Sequence, residues 1–249
     1  MVLTPVCPLR HTLLQSGRPR CGSQPVLYHK VDRAGDPTEK ITYIPNYVAG
    51  DRFYPLPKER IEQKRRALGL GSEDFAVLCV GQIMPRKGVD DFIALAEAMP
   101  DVRFIWCGGF PFGTLMDDYD RWLFITKNPP ANVSFLGIIP REQMNEYYNA
   151  CDLFFLPSVD EVFGMCILEA AAAGKPILLR DLVVYRDIFL DHYAKGRNIK
   201  EFAEQIRRVR ADPDYAELLR GGALALREYY SEDRLLSQLT AFYEQEFDL

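Results

Sequence analysis

Pro157-Ser158-Val159-Asp160-Glu161-Val162-Phe163-Gly164-Met165-Cys166-Ile167-Leu168-Glu169-Ala170-Ala171-Ala172-Ala173-Gly174 is the stretch on which the fold turns. It follows the apolar run Leu153–Leu156, so it reads as a strand, a glycine-containing turn and an Ala-rich helix over 163–173. A helix rises about 1.5 Å per residue, so Glu161 and Glu169 are expected roughly 12 Å apart. That is about the length of a ribose, a diphosphate and a hexose in line. The N–H groups of Phe163, Gly164 and Met165 are expected unpaired at the helix N-terminus. There the helix dipole favours phosphate oxygens.

Outward from this stretch, apolar runs at 41–44, 75–80, 102–107, 132–136, 153–156 and 176–179 alternate with helical patterns near 58–68, 87–99, 141–150, 163–173 and 183–190. Strand–helix–strand repetition of this kind calls for right-handed crossovers and a parallel sheet covered on both faces. The expected class is α/β, a doubly wound parallel sheet. Residues 199–246 read as three helices, broken near Asp212-Pro213 and near Ser231, a candidate N-cap. Leu235, Leu236, Leu239, Phe242 and Tyr243 form an apolar stripe on the last of them. The expected organisation is an irregular or remnant segment over 1–40, rich in Pro, Arg and Gly, followed by a single domain over 41–249.

Composition narrows the function. The chain has 249 residues, 48% of them hydrophobic, enough for a packed core. A net charge of −5 argues against nucleic acid as a partner. No run of 18 apolar residues is present, which leaves peripheral contact as the expected form of any membrane association. Six cysteines without a C-x-x-C pair read as reduced core residues of a cytoplasmic protein, Cys166 among them.

Four motifs carry a family resemblance: the Glu161-to-Glu169 stretch, Val80-Gly81-Gln82-Ile83-Met84-Pro85-Arg86-Lys87-Gly88, Asn132-Val133-Ser134-Phe135-Leu136-Gly137, and Tyr43-Ile44-Pro45-Asn46-Tyr47-Val48. With Ala150 to Ser158 they resemble, in the same order, the donor-binding C-terminal domain of retaining glycosyltransferases of family 4. The resemblance implies a Rossmann-like domain, one half of a GT-B fold, with C-terminal helices. It also implies a nucleotide-sugar partner and an acceptor-binding N-terminal domain, expected to be missing before residue 41. Glu169 would accept hydrogen bonds from ribose hydroxyls, and Glu161 would contact the transferred hexose. Arg86 and Lys87 would neutralise the departing diphosphate. The catalytic candidates are therefore Glu161, Arg86 and Lys87. Donor contacts are expected at Gly81, Arg86, Lys87, Gly108, Gly109, Gly137, Ile138, Phe163, Gly164, Met165 and Glu169. Most of these glycines follow apolar runs, where open α/β sheets bind ligands.

Residues 176–188 and 109–116 are similar to the bacterial branch that glucosylates diacylglycerol. This implies UDP-glucose as donor, a diacylglycerol lipid acceptor, and contact with the inner face of the membrane. No cofactor or metal is expected: Asp118-Tyr119-Asp120 reads as a solvated acidic face, and His192 has no partner at ligand spacing. Two alternatives stay open within the same donor half. One is a polysaccharide or small-molecule acceptor; the other is a binding module inactive without a separate acceptor subunit. A nucleotide-sugar epimerase is a third reading, weakened because this half displays no acid–base pair.

Overall fold

The computed structural model describes residues 20–22, 41–115 and 118–247, and these divide into two units. One unit is Val48–Ser231; the other joins the described residues before 48 to those after 231.

The smaller unit contains two short strands, β1 (Arg20–Gly22) and β2 (Ile41–Tyr43), paired in parallel, and the terminal helix Glu232–Phe247. The expected strand at 41–44 thus exists, but it pairs with β1 rather than joining the large sheet. Of the segment expected to be irregular, residues 20–22 are a strand, and 1–19 and 23–40 lie outside the described residues.

Val48–Ser231 holds a six-stranded, wholly parallel sheet made of β3 (Ala76–Val80), β4 (Arg103–Cys107), β5 (Val133–Phe135), β6 (Leu153–Leu156), β7 (Ile177–Arg180) and β8 (Ala194–Gly196). Before, between and after them run the helices α1 (Lys58–Ala67), α2 (Val89–Ala98), α3 (Tyr119–Lys127), α4 (Met144–Ala150), α5 (Met165–Ala172), α6 (Val183–Phe189), α7 (Ile199–Ala211) and α8 (Pro213–Tyr229); the terminal helix of the other unit is α9. The spatial order β5-β4-β3-β6-β7-β8 means that the chain winds outward from β3 to β5, returns beside β3 as β6, and winds outward the other way. The reversal between β3 and β6 opens the crevice in which such sheets bind ligands. The doubly wound class read from the apolar runs is therefore the observed one.

The strands read as unbroken apolar runs because helices cover both faces. All four residues of Leu153–Leu156 are buried. Phe92 of α2 meets Phe104 and Trp106 of β4 edge-on, with centroids 5.5 and 5.0 Å away. The small residues of α5 let it lie close against α8, which buries Leu219, Ala223 and Leu226 along one stripe. Asn198 and Glu201 form a reciprocal cap at the start of α7: Asn198 accepts from the Glu201 N–H at 3.0 Å, while Glu201 accepts from the Arg197 N–H at 2.9 Å. Asp212 caps α8, with Pro213 at its first position.

β8 and α3 escaped the sequence reading. β8 is Ala-Lys-Gly, too short and polar to register as an apolar run, and the polar residues of α3 leave only Trp122 fully buried.

Candidate functional site

The two loops that follow β3 and β6 meet at the reversal point. After β3 the chain makes a short 3-10 turn over Pro85–Lys87, and Gly88 turns it into α2 with φ 73°. The Val159 N–H donates to the Arg86 carbonyl at 2.9 Å, tying that turn to the loop after β6. A Cβ on Gly88 would lie 2.3 Å from the Pro157 carbonyl oxygen, so only glycine allows the two loops this approach. From the far side, Arg180 of β7 donates Nε to the same carbonyl at 3.0 Å and pairs with Asp91 of α2.

This packing sets Arg86 and Lys87 against Glu161. Lys87 Nζ donates to Glu161 Oε2, and Arg86 lies 3.6 Å from Oε1. The Ser158 hydroxyl donates to Oε2 at 3.5 Å and the Val162 N–H to Oε1 at 3.0 Å. With its side chain 7% exposed, the carboxylate is enclosed by donors. Arg86 also donates to the Asp160 carbonyl at 3.0 Å and stays half-buried.

Helix α5 starts at Met165, four residues after Glu161, and Gly164 caps it in the left-handed region at φ 76°. Glu161 therefore sits in the loop, and the helical ruler of about 12 Å does not apply between it and Glu169. Phe163 precedes the cap, and its ring is buried against Phe189 and Tyr230. The Ile167 N–H is satisfied by the Gly164 carbonyl at 2.9 Å, and no side chain caps the helix. The donors of the first turn are thus Gly164, Met165 and Cys166, one position on from the expected set.

Glu169 is buried on α5, where Tyr148 of α4 donates to its Oε2 at 2.8 Å and Arg141 lies 3.4 Å from Oε1. Burial pushes this carboxyl above the usual carboxylate range, with the Tyr148 hydrogen bond and the Arg141 charge acting against it. The half-buried Cys166 stands between the two acids: its thiol is pushed up to about 12 chiefly by burial, is opposed by Lys87, and feels both Glu161 and Glu169. The two glutamates therefore border one neighbourhood, and Cys166 is an inert thiol within it.

The expected glycines converge at the ends of β3, β4 and β5. The Gly108 N–H donates to the Gly137 carbonyl at 2.7 Å, and a Cβ on Gly108 would fall 1.8 Å from the Gly81 oxygen. Trp106 Nε1 donates to that same oxygen at 2.8 Å. Gly81 lies beside the stem of Lys87, and Gly109 beside Ile138, which projects from the rim 79% exposed. Asn132 plays no part in the rim. Its buried amide donates to the carbonyls of Ala96, Met99 and Val102 at 2.9 to 3.0 Å, tying the end of α2 to the start of β5. Asp118 and Asp120 are exposed at the start of α3, Met116 and Asp117 lie outside the described residues, and His192 is half-buried. No group of three His, Cys, Asp or Glu side chains among the described residues comes together as a metal site, and no described helix is long and apolar enough to cross a membrane.

Tyr148, Arg141, Ser158 and Arg180 belong to this site although the sequence reading assigned them no role there. Ser158 lay inside the quoted stretch; the other three reach the site through tertiary contacts that leave no pattern along the chain.

Comparison with known proteins covers the same part of the chain. The profile of the family "Glycosyl transferases group 1" matches residues 60–223. An alpha-galactosylglucosyldiacylglycerol synthase of Streptococcus pneumoniae is 43% identical over 89% of this chain and 59% of its own length. A processive diacylglycerol alpha-glucosyltransferase of Acholeplasma laidlawii is 32% identical over 68% of this chain and 50% of its own length. The chain thus spans roughly half of these curated relatives. HepE of Anabaena, solved in complex with UDP and glucose, superposes with a TM-score of 0.77 over 92% of this chain and 62% of its own, at 23% identity.

Proposed function

This chain belongs to the group 1 glycosyl transferases, and from that premise we propose that it forms the donor-binding half of an enzyme that moves a hexose from a UDP-sugar to a diacylglycerol lipid, with retention of configuration. The observation that carries this reading is the juxtaposition of Arg86, Lys87 and Glu161 with the N-terminus of α5, which no side chain caps, at the reversal between β3 and β6.

Breaking the bond between the sugar and the diphosphate leaves negative charge on the departing phosphate. Arg86, Lys87 and the first-turn N–H groups of α5 are donors suited to that charge, already in place before the reaction begins. Glu161 holds the two cations and lies where the transferred hexose would sit. Glu169 takes the ribose hydroxyls, which a charged carboxylate accepts well. The rim glycines bring the backbone close to the nucleotide, and Ile138 offers an apolar surface to its base. Retention is taken from the family resemblance. Charge neutralisation by the two cations makes a metal unnecessary in this reading, and the lipid acceptor implies peripheral contact with a membrane.

UDP-glucose as donor and diacylglycerol as acceptor is the first reading. A second, favoured by the name of the 43% identical relative, is galactose transferred to glucosyldiacylglycerol. Incubation with UDP-glucose or UDP-galactose, in micelles of diacylglycerol or glucosyldiacylglycerol and in the presence of a chelator, separates them by the mass of the lipid product, and NMR gives its anomeric form. An α-hexosyl lipid formed in chelator supports the proposal. Product only from a water-soluble acceptor, or only with added metal, overturns the lipid or the metal-free part; activity only after adding a second subunit identifies the chain as a binding module.

A further inference from the structure

Resting on the ribose reading of Glu169, we propose that Tyr148 is a positioning residue, fixing the Glu169 carboxylate in the rotamer and charge state that a ribose diol requires. The Tyr148 hydroxyl is fully buried and donates to Oε2 at 2.8 Å, so that oxygen is committed to the protein. Oε1 lies toward Arg141, whose side chain is 49% exposed, so this is the oxygen on the open side. The carboxylate is thereby held with one oxygen anchored inside and the other presented outward.

The anchor is rigid. Tyr148 packs edge-on against Phe53 and tilted against Phe154, each with centroids 5.9 Å away. The same helix is locked by Asn145 and Asn149, which accept from the Tyr54 and Leu56 N–H groups at 3.2 and 2.8 Å. Asn149 also donates to the Tyr54 carbonyl at 3.0 Å. A buried hydroxyl is costly unless bonded, and Glu169 is the acceptor this one has.

Charge is the second half of the role. A neutral carboxyl carries a proton that competes with the ribose hydroxyls, whereas a carboxylate only accepts. Among the described residues, Tyr148 on α4 and Arg141 just before it are the groups that stabilise the ionised form. Cys166 on α5 itself and Cys107 at the end of β4 are the other titratable groups facing this pair, and both thiols are pushed up to about 12 by burial, so they stay neutral across the working range. Without the Tyr148 hydroxyl, Glu169 takes up a proton at higher pH, and nucleotide affinity falls away as pH drops through that value.

The test is UDP affinity by calorimetry between about pH 5.5 and 9 for the wild-type chain, Tyr148→Phe, Arg141→Met and Glu169→Gln. Each value is divided by the wild-type value at the same pH, so that ionisation of the diphosphate itself, near 6, cancels. For Tyr148→Phe the relative loss should grow as pH falls, approaching about tenfold per unit between the variant's carboxyl pKa and the wild type's, and should level off near the alkaline end at the smaller, pH-independent loss that an unanchored rotamer gives. Arg141→Met should move the same way by less. A relative loss that is constant with pH for both variants, as a merely structural defect gives, overturns the proposal. Glu169→Gln decides the underlying reading separately: weak binding at every pH upholds it, and wild-type binding removes both it and the role of Tyr148.

Discussion

At the scale of single residues, the interaction that organises the site is the enclosed pair Lys87–Glu161, with Arg86 at its edge. Two ions taken from water are held together only where their remaining hydrogen-bonding capacity is met, and Glu161 meets it with Ser158 and the Val162 N–H. Removing one partner of such a pair leaves a buried charge. Lys87→Met should therefore destabilise the protein by about 3 kcal/mol, whereas adding Glu161→Leu should recover most of that loss. Chemical denaturation of the two single variants and the double variant closes the cycle. Additive losses would show that the two side chains do not act as a unit. Arg86→Ala has a different signature, since Arg86 is half-buried and makes weaker contacts. Stability should change little while turnover falls roughly 10²-fold, the scale of losing one preorganised donor. Steady-state kinetics on the proposed lipid acceptor reads it, and an unchanged rate would remove Arg86 from the proposed chemistry.

At the scale of elements, the site depends on how closely the turn after β3 approaches the loop after β6. Gly88 sets that distance through its positive φ and the nearness of Pro157. Gly69 has a similar φ of 68° but nothing within 4 Å of a Cβ, so it isolates the conformational cost. Gly69→Ala should cost about 1 kcal/mol and Gly88→Ala roughly 3, because the second change also drives a methyl group into a backbone carbonyl. Equal shifts in the two thermal unfolding curves would mean that the loops are free to separate. This closeness explains what the sequence revealed. Strands such as Leu153–Leu156 were readable because burial on both faces makes them apolar without interruption. The glycines, Arg86, Lys87 and the two glutamates were singled out through a family resemblance, and the fold sets Arg86 and Lys87 against Glu161. The start of α5 at Met165 rather than Phe163 was missed, because a glycine inside an apolar stretch does not by itself show that it takes the left-handed conformation that caps the helix at Gly164. Tyr148 was hidden for a related reason: its partner lies 21 residues away on another helix, and a tyrosine on a buried helix face reads as core.

At the scale of the whole molecule, the sheet reversal gathers these parts from distant places in the chain. β3 delivers the cations, β6 delivers Glu161, and α5 and α4 deliver Glu169 with its anchor. The donor site assigned above lies entirely within the unit Val48–Ser231. On the proposed function, recognition of the nucleotide sugar falls to this chain, which spans 59% of the 43% identical relative. The most direct test is isothermal calorimetry of UDP-glucose with the chain as it stands, in chelator, alongside Glu169→Gln and Arg86→Ala. The account predicts one saturable site, weakened at least about tenfold by either substitution, the equivalent of losing roughly 1.4 kcal/mol. Absence of binding by the wild-type chain, or equal binding by all three, would contradict it.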